Sequence, residues 1–124
     1  MRIVNTPDAP EAIGPYAQAA EAGGMIYCSG QLPINPATGM IEVAGAAEQT
    51  MRVLLNLRAV LEAAGSGLDK VVKTTVYLTD LGDFPSMNKV YGEMFANHKP
   101  ARATVQVARL PKSSKVEIEA IALK

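Results

Sequence analysis

Arg102-Ala103-Thr104-Val105-Gln106-Val107-Ala108 and, after a short connection, Lys115-Val116-Glu117-Ile118-Glu119-Ala120-Ile121-Ala122 are the two runs whose reading decides the fold. Both are rich in β-branched residues and alternate in character, which is the period of a half-buried strand. Paired as a hairpin through Arg109 to Ser114, they sort their side chains onto two faces. Ala103, Val105, Val107, Val116, Ile118, Ala120 and Ala122 fall on one face, suited to packing on helices. Arg102, Thr104, Gln106, Glu117, Glu119 and Ile121 fall on the other, so an arginine and two carboxylates share it. On pattern alone a solvated sheet face is the simpler reading.

Two helices are available to cover the apolar face. From about Ala44 to Ala64, the residues Ala46, Thr50, Val53, Leu57, Val60 and Ala64 recur at three- and four-residue steps, with Leu54 and Leu61 widening the stripe. Gly65 follows as a C-cap. A second helix is predicted from Phe84 to Phe95, with Phe84, Met87, Tyr91, Met94 and Phe95 on its apolar face and Asn88 among them. Val71 to Thr79 reads as a strand between the helices. Ala17 to Glu21 and Met25 to Cys28 flank Ala22-Gly23-Gly24 as a hairpin, and Pro33 to Gly39 reads as loop.

The chain has 124 residues, read as one domain spanning 1–124, with 48% hydrophobic and 19% charged residues. A domain of this size gains core by oligomerising. Twelve Lys and Arg balance twelve Asp and Glu, and there is no Trp. Without excess positive charge or interleaved aromatics, nucleic acid is not the expected partner. Cys28 and His98 are the only cysteine and histidine, so neither a disulfide nor a Cys–His zinc spacing is available within the chain. No cofactor or metal is expected. The N-terminus lacks the apolar core of a leader, and no apolar run is of membrane-spanning length, so a cytoplasmic location is expected.

Six blocks, in order, carry a resemblance that covers Ala9 to Lys124. They are Ala12-Ile13-Gly14-Pro15-Tyr16, Cys28-Ser29-Gly30-Gln31-Leu32-Pro33, Val72-Lys73-Thr74-Thr75-Val76-Tyr77, Pro100-Ala101-Arg102-Ala103-Thr104, Val107-Ala108-Arg109-Leu110-Pro111-Lys112, and Val116-Glu117-Ile118-Glu119-Ala120-Ile121-Ala122. The chain resembles the YjgF/RidA family. The resemblance implies a chorismate-mutase-like α+β fold, a mixed sheet with two helices on one face. It further implies a homotrimer with a barrel-like centre and active sites in the clefts between subunits. The implied activity is hydrolysis of enamine and imine intermediates such as 2-iminopropanoate and 2-iminobutanoate to 2-keto acids and ammonia.

By position in those blocks, Arg102 corresponds to the arginine that grips the substrate carboxylate, for which a planar guanidinium is suited. Glu117 corresponds to the glutamate that orients the attacking water, and its motif position separates it from Glu119. Tyr16, Ser29 and Asn88 match the remaining polar positions of the pocket, and the backbone N–H of Thr104 is the second carboxylate donor. Each has a plainer competitor. Tyr16 can be a packing residue, the Ser29 hydroxyl can bond neighbouring backbone, and Asn88 can be a structural bridge. The chain departs from the family pattern in carrying Thr104 where cysteine is common, and Lys99 where an aromatic residue often precedes the Pro-Ala-Arg block. Cys28 reads as a strand residue, since no histidine motif accompanies it. A 2-keto-acid or amino-acid binding module without turnover, and a ribonuclease or translation inhibitor, are the alternative readings.

Overall fold

Apolar periodicity and a glycine stop decide the long helix. In the computed structural model, which describes residues 1–124, α1 runs Ala46–Ala63. Its predicted stripe, including Leu54 and Leu61, is buried throughout. Gly65, at φ 86°, ends the helix in a Schellman turn. There the Ser66 amide donates to the Leu61 carbonyl at 2.8 Å and the Gly65 amide to that of Glu62 at 3.0 Å. The second helix, α2, runs Phe84–Phe95 with Pro85 in its first turn, where the missing N–H costs nothing. Met87, Tyr91 and Phe95 are buried, and Phe84 and Met94 pack at the margin of the core.

Six strands make the main sheet: β1 (Arg2–Val4), β2 (Ala19–Ala22), β3 (Met25–Gln31), β6 (Val71–Leu78), β7 (Ala101–Gln106) and β8 (Val116–Leu123). Their order across the sheet is β1-β2-β3-β8-β6-β7, with both helices on one face. Gly23 and Gly24, both at positive φ, form the two-residue turn of the β2–β3 hairpin, a backbone that other residues resist. Two short strands pair on their own, β4 (Ile34–Asn35) within the stretch read as loop and β5 (Met40–Ile41) directly after it.

The decisive pair of strands does not form a hairpin. β8 lies antiparallel between β3 and β6, and β7 lies parallel to β6 at the edge of the sheet. Parallel neighbours need a crossover, and α2 supplies it between β6 and β7. Register then fixes the faces. Thr74, Val76 and Leu78 point into the core, and their partners on β7 are Arg102, Thr104 and Gln106. Those three therefore lie on the helix side, and Ala103 and Val105 lie on the open side, where Val105 is 42% exposed. The expected grouping of Arg102 with Glu117 and Glu119 is thus wrong for a single chain. Assigning apolar residues inward holds for β8, where Val116, Ile118, Ala120 and Ala122 are buried, because that strand is central. It fails on β7, an edge strand with a free flank.

Candidate functional site

Arg102 opens the first of two clusters. Its guanidinium lies over the rings of Tyr91 and Phe84, 4.8 and 5.4 Å from their centroids, and donates through Nη1 to Asn88 Oδ1 at 2.8 Å. Phe84, Asn88 and Tyr91 come from successive turns of α2, a spacing that stacks them on one helix flank. Tyr91 is itself fixed, because its hydroxyl and that of Thr74 are 2.7 Å apart. Asn88 is exposed at the rim and not buried among apolar residues, so it bonds Arg102 without a desolvation cost. The stacked, hydrogen-bonded guanidinium is held in one plane, which prepares it for a two-point grip on a carboxylate.

The amide of Thr104 is available beside it. Val107 N–H donates to Leu78 O at 2.8 Å, so the alternation of strand amides turns those of Ala103 and Val105 toward β6. The amides of Arg102, Thr104 and Gln106 point from the free edge of the sheet. Thr104 Oγ1 is buried and lacks a hydrogen-bond partner. Lys99 lines, with Tyr91, Phe95, Pro100 and Arg102, a hollow of about 370 Å³ at the start of β7.

Glu117 opens the second cluster, on the other face of the sheet. Its side chain crosses β3 at Gly30, where a Cβ would stand 2.0 Å from Oε2 and 2.9 Å from Cδ. Only glycine leaves that room, and the β3–β8 register is irregular at this point, between Cys28 and Gln31. Burial, and then the neighbouring Glu119, push the Glu117 carboxyl above the usual range. Glu119 is differently occupied. It accepts a 2.6 Å hydrogen bond from Tyr77 Oη, which pushes the phenol of Tyr77 up. Glu117 makes no side-chain hydrogen bond within the chain, so its oxygens remain free for a water or a ligand.

Ser29 precedes Gly30 on β3, and Tyr16 lines a hollow with Thr6, Ala9 and Gln18. The Ser29 hydroxyl donates to Ala17 O at 2.6 Å and its amide to Gln18 O at 2.9 Å, which is the backbone role that competes with ligand binding. Tyr16, 56% exposed, follows Gly14 at φ 131° and projects from the segment that Ser29 fastens to β3.

Five of the six candidate residues therefore form two groups, Arg102 with Asn88 and Thr104, and Glu117 with Ser29 beside Gly30, while Tyr16 stands apart at the hollow it lines with Thr6, Ala9 and Gln18. From Glu117 to Arg102 is two strands over and three residues along, roughly 14 Å between Cα atoms, with the side chains on opposite faces. Sequence reasoning missed Gly30 as the floor under Glu117 and the aromatic pair under Arg102. The 84/88/91 spacing was the available signal for the second; nothing in the sequence signals the first. No three His, Cys, Asp or Glu side chains are gathered as a metal site, and no helix is long and apolar enough to cross a membrane.

Comparison with known proteins gives a consistent result. The sequence profile described as Endoribonuclease L-PSP matches residues 6–124. A RutC family protein of Pyrococcus horikoshii is 52% identical over 122 residues, covering 98% of this chain and 97% of the relative. The 2-iminobutanoate/2-iminopropanoate deaminase of Escherichia coli K12 is 48% identical over 126 residues, covering 99% and 98%. The crystal structure of E. coli TdcF with bound serine superposes with a TM-score of 0.95 at 46% identity, covering 100% and 99%. Matched in sequence and in fold over nearly its whole length, the chain belongs to the YjgF/RidA family.

Proposed function

We propose that the chain hydrolyses small 2-imino acids, and the enamines that tautomerise to them, to 2-keto acids and ammonia, at sites shared between the subunits of a homotrimer. The observation that carries this reading is the division of the site. A rigid cationic anchor with an outward amide stands on one face, and a carboxylate with unoccupied oxygens stands on the other, too far away to touch the same small molecule. A second copy that lays its β7 edge near Glu117 of the first completes the set. The exposed Val105 and Tyr27 of the open face support such burial.

In the completed site, Arg102 and the Thr104 amide hold the carboxylate of an iminium, R–C(=NH₂⁺)–COO⁻. Glu117 accepts a proton from water as its oxygen bonds to the iminium carbon, and the C=N π pair returns to nitrogen. The carbinolamine then loses ammonia. Glu117 returns its proton to the leaving nitrogen, the C–N bond breaks, and the hydroxyl proton passes to the regenerated Glu117 carboxylate and on to ammonia as the C=O forms. A protonated imine is a strong electrophile, so orientation and one base suffice. The raised pKa of Glu117 brings it closer to neutrality, where a base both stays ionised and holds a proton usefully. The naming of the E. coli relative as an iminobutanoate/iminopropanoate deaminase, and serine bound in TdcF, both support a small amino-acid-like ligand.

The test is keto-acid release from freshly generated 2-iminopropanoate, measured beside calorimetric titration with 2-ketobutyrate. Release well above the buffer rate, lost in Glu117→Gln, is the expected result. Tight 2-ketobutyrate binding with no acceleration would make the chain a binding module and overturn the proposal.

A further inference from the structure

The segment from Asn5 to Tyr16 contains neither helix nor strand, yet it carries Tyr16. Within it, only one backbone hydrogen bond is made, from Tyr16 N–H to Gly14 O at 2.9 Å. Ala9, 3% exposed, is its one residue in the apolar core, and its polar anchor is a side chain outside it. The amide of Gln18, 3% exposed, accepts from Thr6 N–H through Oε1 at 2.7 Å. Through Nε2 it reaches the carbonyls of Pro10 at 2.8 Å, Thr6 at 3.1 Å and Ala9 at 3.4 Å. One buried amide thus satisfies backbone groups at both ends of a bend that would otherwise be left unpaired. On its other side Gln18 is fixed to the sheet, since its carbonyl accepts the Ser29 amide. The adjacent carbonyl of Ala17 accepts the Ser29 hydroxyl.

We infer that Gln18 is a positioning residue: with Ser29 it clamps the Asn5–Tyr16 segment to β3 and so holds Tyr16 in the geometry needed to receive the ligand. The inference rests on the proposed function, and on Tyr16 being a ligand-facing residue of that site, as its place in the Ala12–Tyr16 block implies. Gln18 itself faces backbone, not the open face, and touches no reacting atom. Released from Gln18, the segment keeps its covalent path but loses its shared anchor, and Tyr16 samples conformations in which it cannot engage the ligand. When only a fraction of molecules is competent, apparent affinity falls by that fraction. A segment competent about one time in ten raises KM about tenfold and leaves kcat within about twofold.

The experiment is a double-mutant cycle of Gln18→Met and Tyr16→Phe on the assembled protein, with 2-iminopropanoate turnover, 2-ketobutyrate calorimetry and hydrogen exchange at the Thr6 amide. Gln18→Met is expected to release Thr6 exchange and raise KM about tenfold with kcat nearly unchanged; in the Tyr16→Phe background its effect on KM is expected to shrink below about twofold. If Gln18→Met does not fold, Gln18→Asn, which keeps a buried amide but falls short of Thr6, is expected to give the same pattern with a smaller shift. Equal KM effects in both Tyr16 backgrounds, a loss confined to kcat, or released exchange with unchanged KM would each overturn the inference. Wild-type protein that binds 2-ketobutyrate without turnover would refute the proposed reaction. The cycle is then read on 2-ketobutyrate affinity, where additive losses would overturn the clamp and coupled losses would uphold it. Wild-type protein that neither turns over nor binds would remove both.

Discussion

Gly30→Ala is expected to separate catalysis from folding by one methyl group. An added Cβ would sit 2.0 Å from Glu117 Oε2, 2.9 Å from Cδ and 3.1 Å from Cγ. Ordinary contact lies near 3.5 Å, so the carboxylate must retreat by roughly 1.5 Å. The clashing atoms are the far end of a flexible side chain, so the backbone need not move. An off-rotamer glutamate costs about 0.5–1.5 kcal/mol, while replacing glycine lowers the entropy of the unfolded chain by about 0.4–1 kcal/mol in compensation. The two nearly cancel, and the melting temperature at fixed protein concentration should move by no more than about 5 °C. Catalysis has no such compensation, because misplacing a group by about 1 Å costs about 10²-fold. We expect kcat/KM for 2-iminopropanoate to fall about 100-fold, measured as keto-acid release, with circular dichroism and assembled mass unchanged. Once Glu117→Gln has removed the carboxylate, adding Gly30→Ala should cost less than about threefold more. Near-normal turnover in Gly30→Ala, or losses that multiply in the double variant, would refute the placing of the base at Gly30.

Other outcomes follow from the same geometry. Arg102→Lys should keep charge but lose the stacked two-point fork, lowering kcat/KM about 10- to 100-fold with the protein still assembled. The acid limb of the pH–rate profile should lie above the ordinary glutamate range, because burial and Glu119 raise the Glu117 pKa; Glu119→Gln should move that limb to lower pH. The same raised pKa makes Glu117 favour folding most below its unfolded value, and this contribution is lost as pH rises through the folded value; denaturant titrations across that window should flatten in Glu117→Gln. Light scattering at micromolar concentration should give three subunit masses, and a single subunit mass would remove the shared site.

Much of the fold is legible because it is written in local periods. The α1 stripe and the Gly65 stop are complete in sequence, and β8 alternates cleanly because it is flanked on both sides. The partner of β7 is not written that way, since alternation looks the same whichever strand lies alongside. The strand–helix–strand order of Val71 to Gln106 was the clue to parallel pairing, and the short Arg109–Ser114 connection outweighed it. The face of Arg102 was misread for a related reason: Ala103 and Val105 are apolar, but on an edge strand that quality suits another chain as well as a core. Strand β1 and the β4–β5 pair are only two or three residues long, too short to establish a period. The site residues are named by motif position, but how they divide between two faces depends on register, which no single motif contains.

Strand β7 also bears on how a lone chain behaves in solution. The run Ala103-Thr104-Val105-Gln106-Val107-Ala108, which begins in β7 and continues two residues past it, is uncharged and lacks proline, and the outer flank of β7 is unpaired. Such a strand templates edge-to-edge aggregation in an unassembled subunit. Arg102 and Arg109 bracket that run, where like charge discourages the stacking of copies. On that reading the arginine proposed as the carboxylate anchor is also a gatekeeper during folding, and Arg102→Lys, which retains the charge, is a cleaner probe of the proposed catalysis than Arg102→Ala, which leaves one end of the run unguarded.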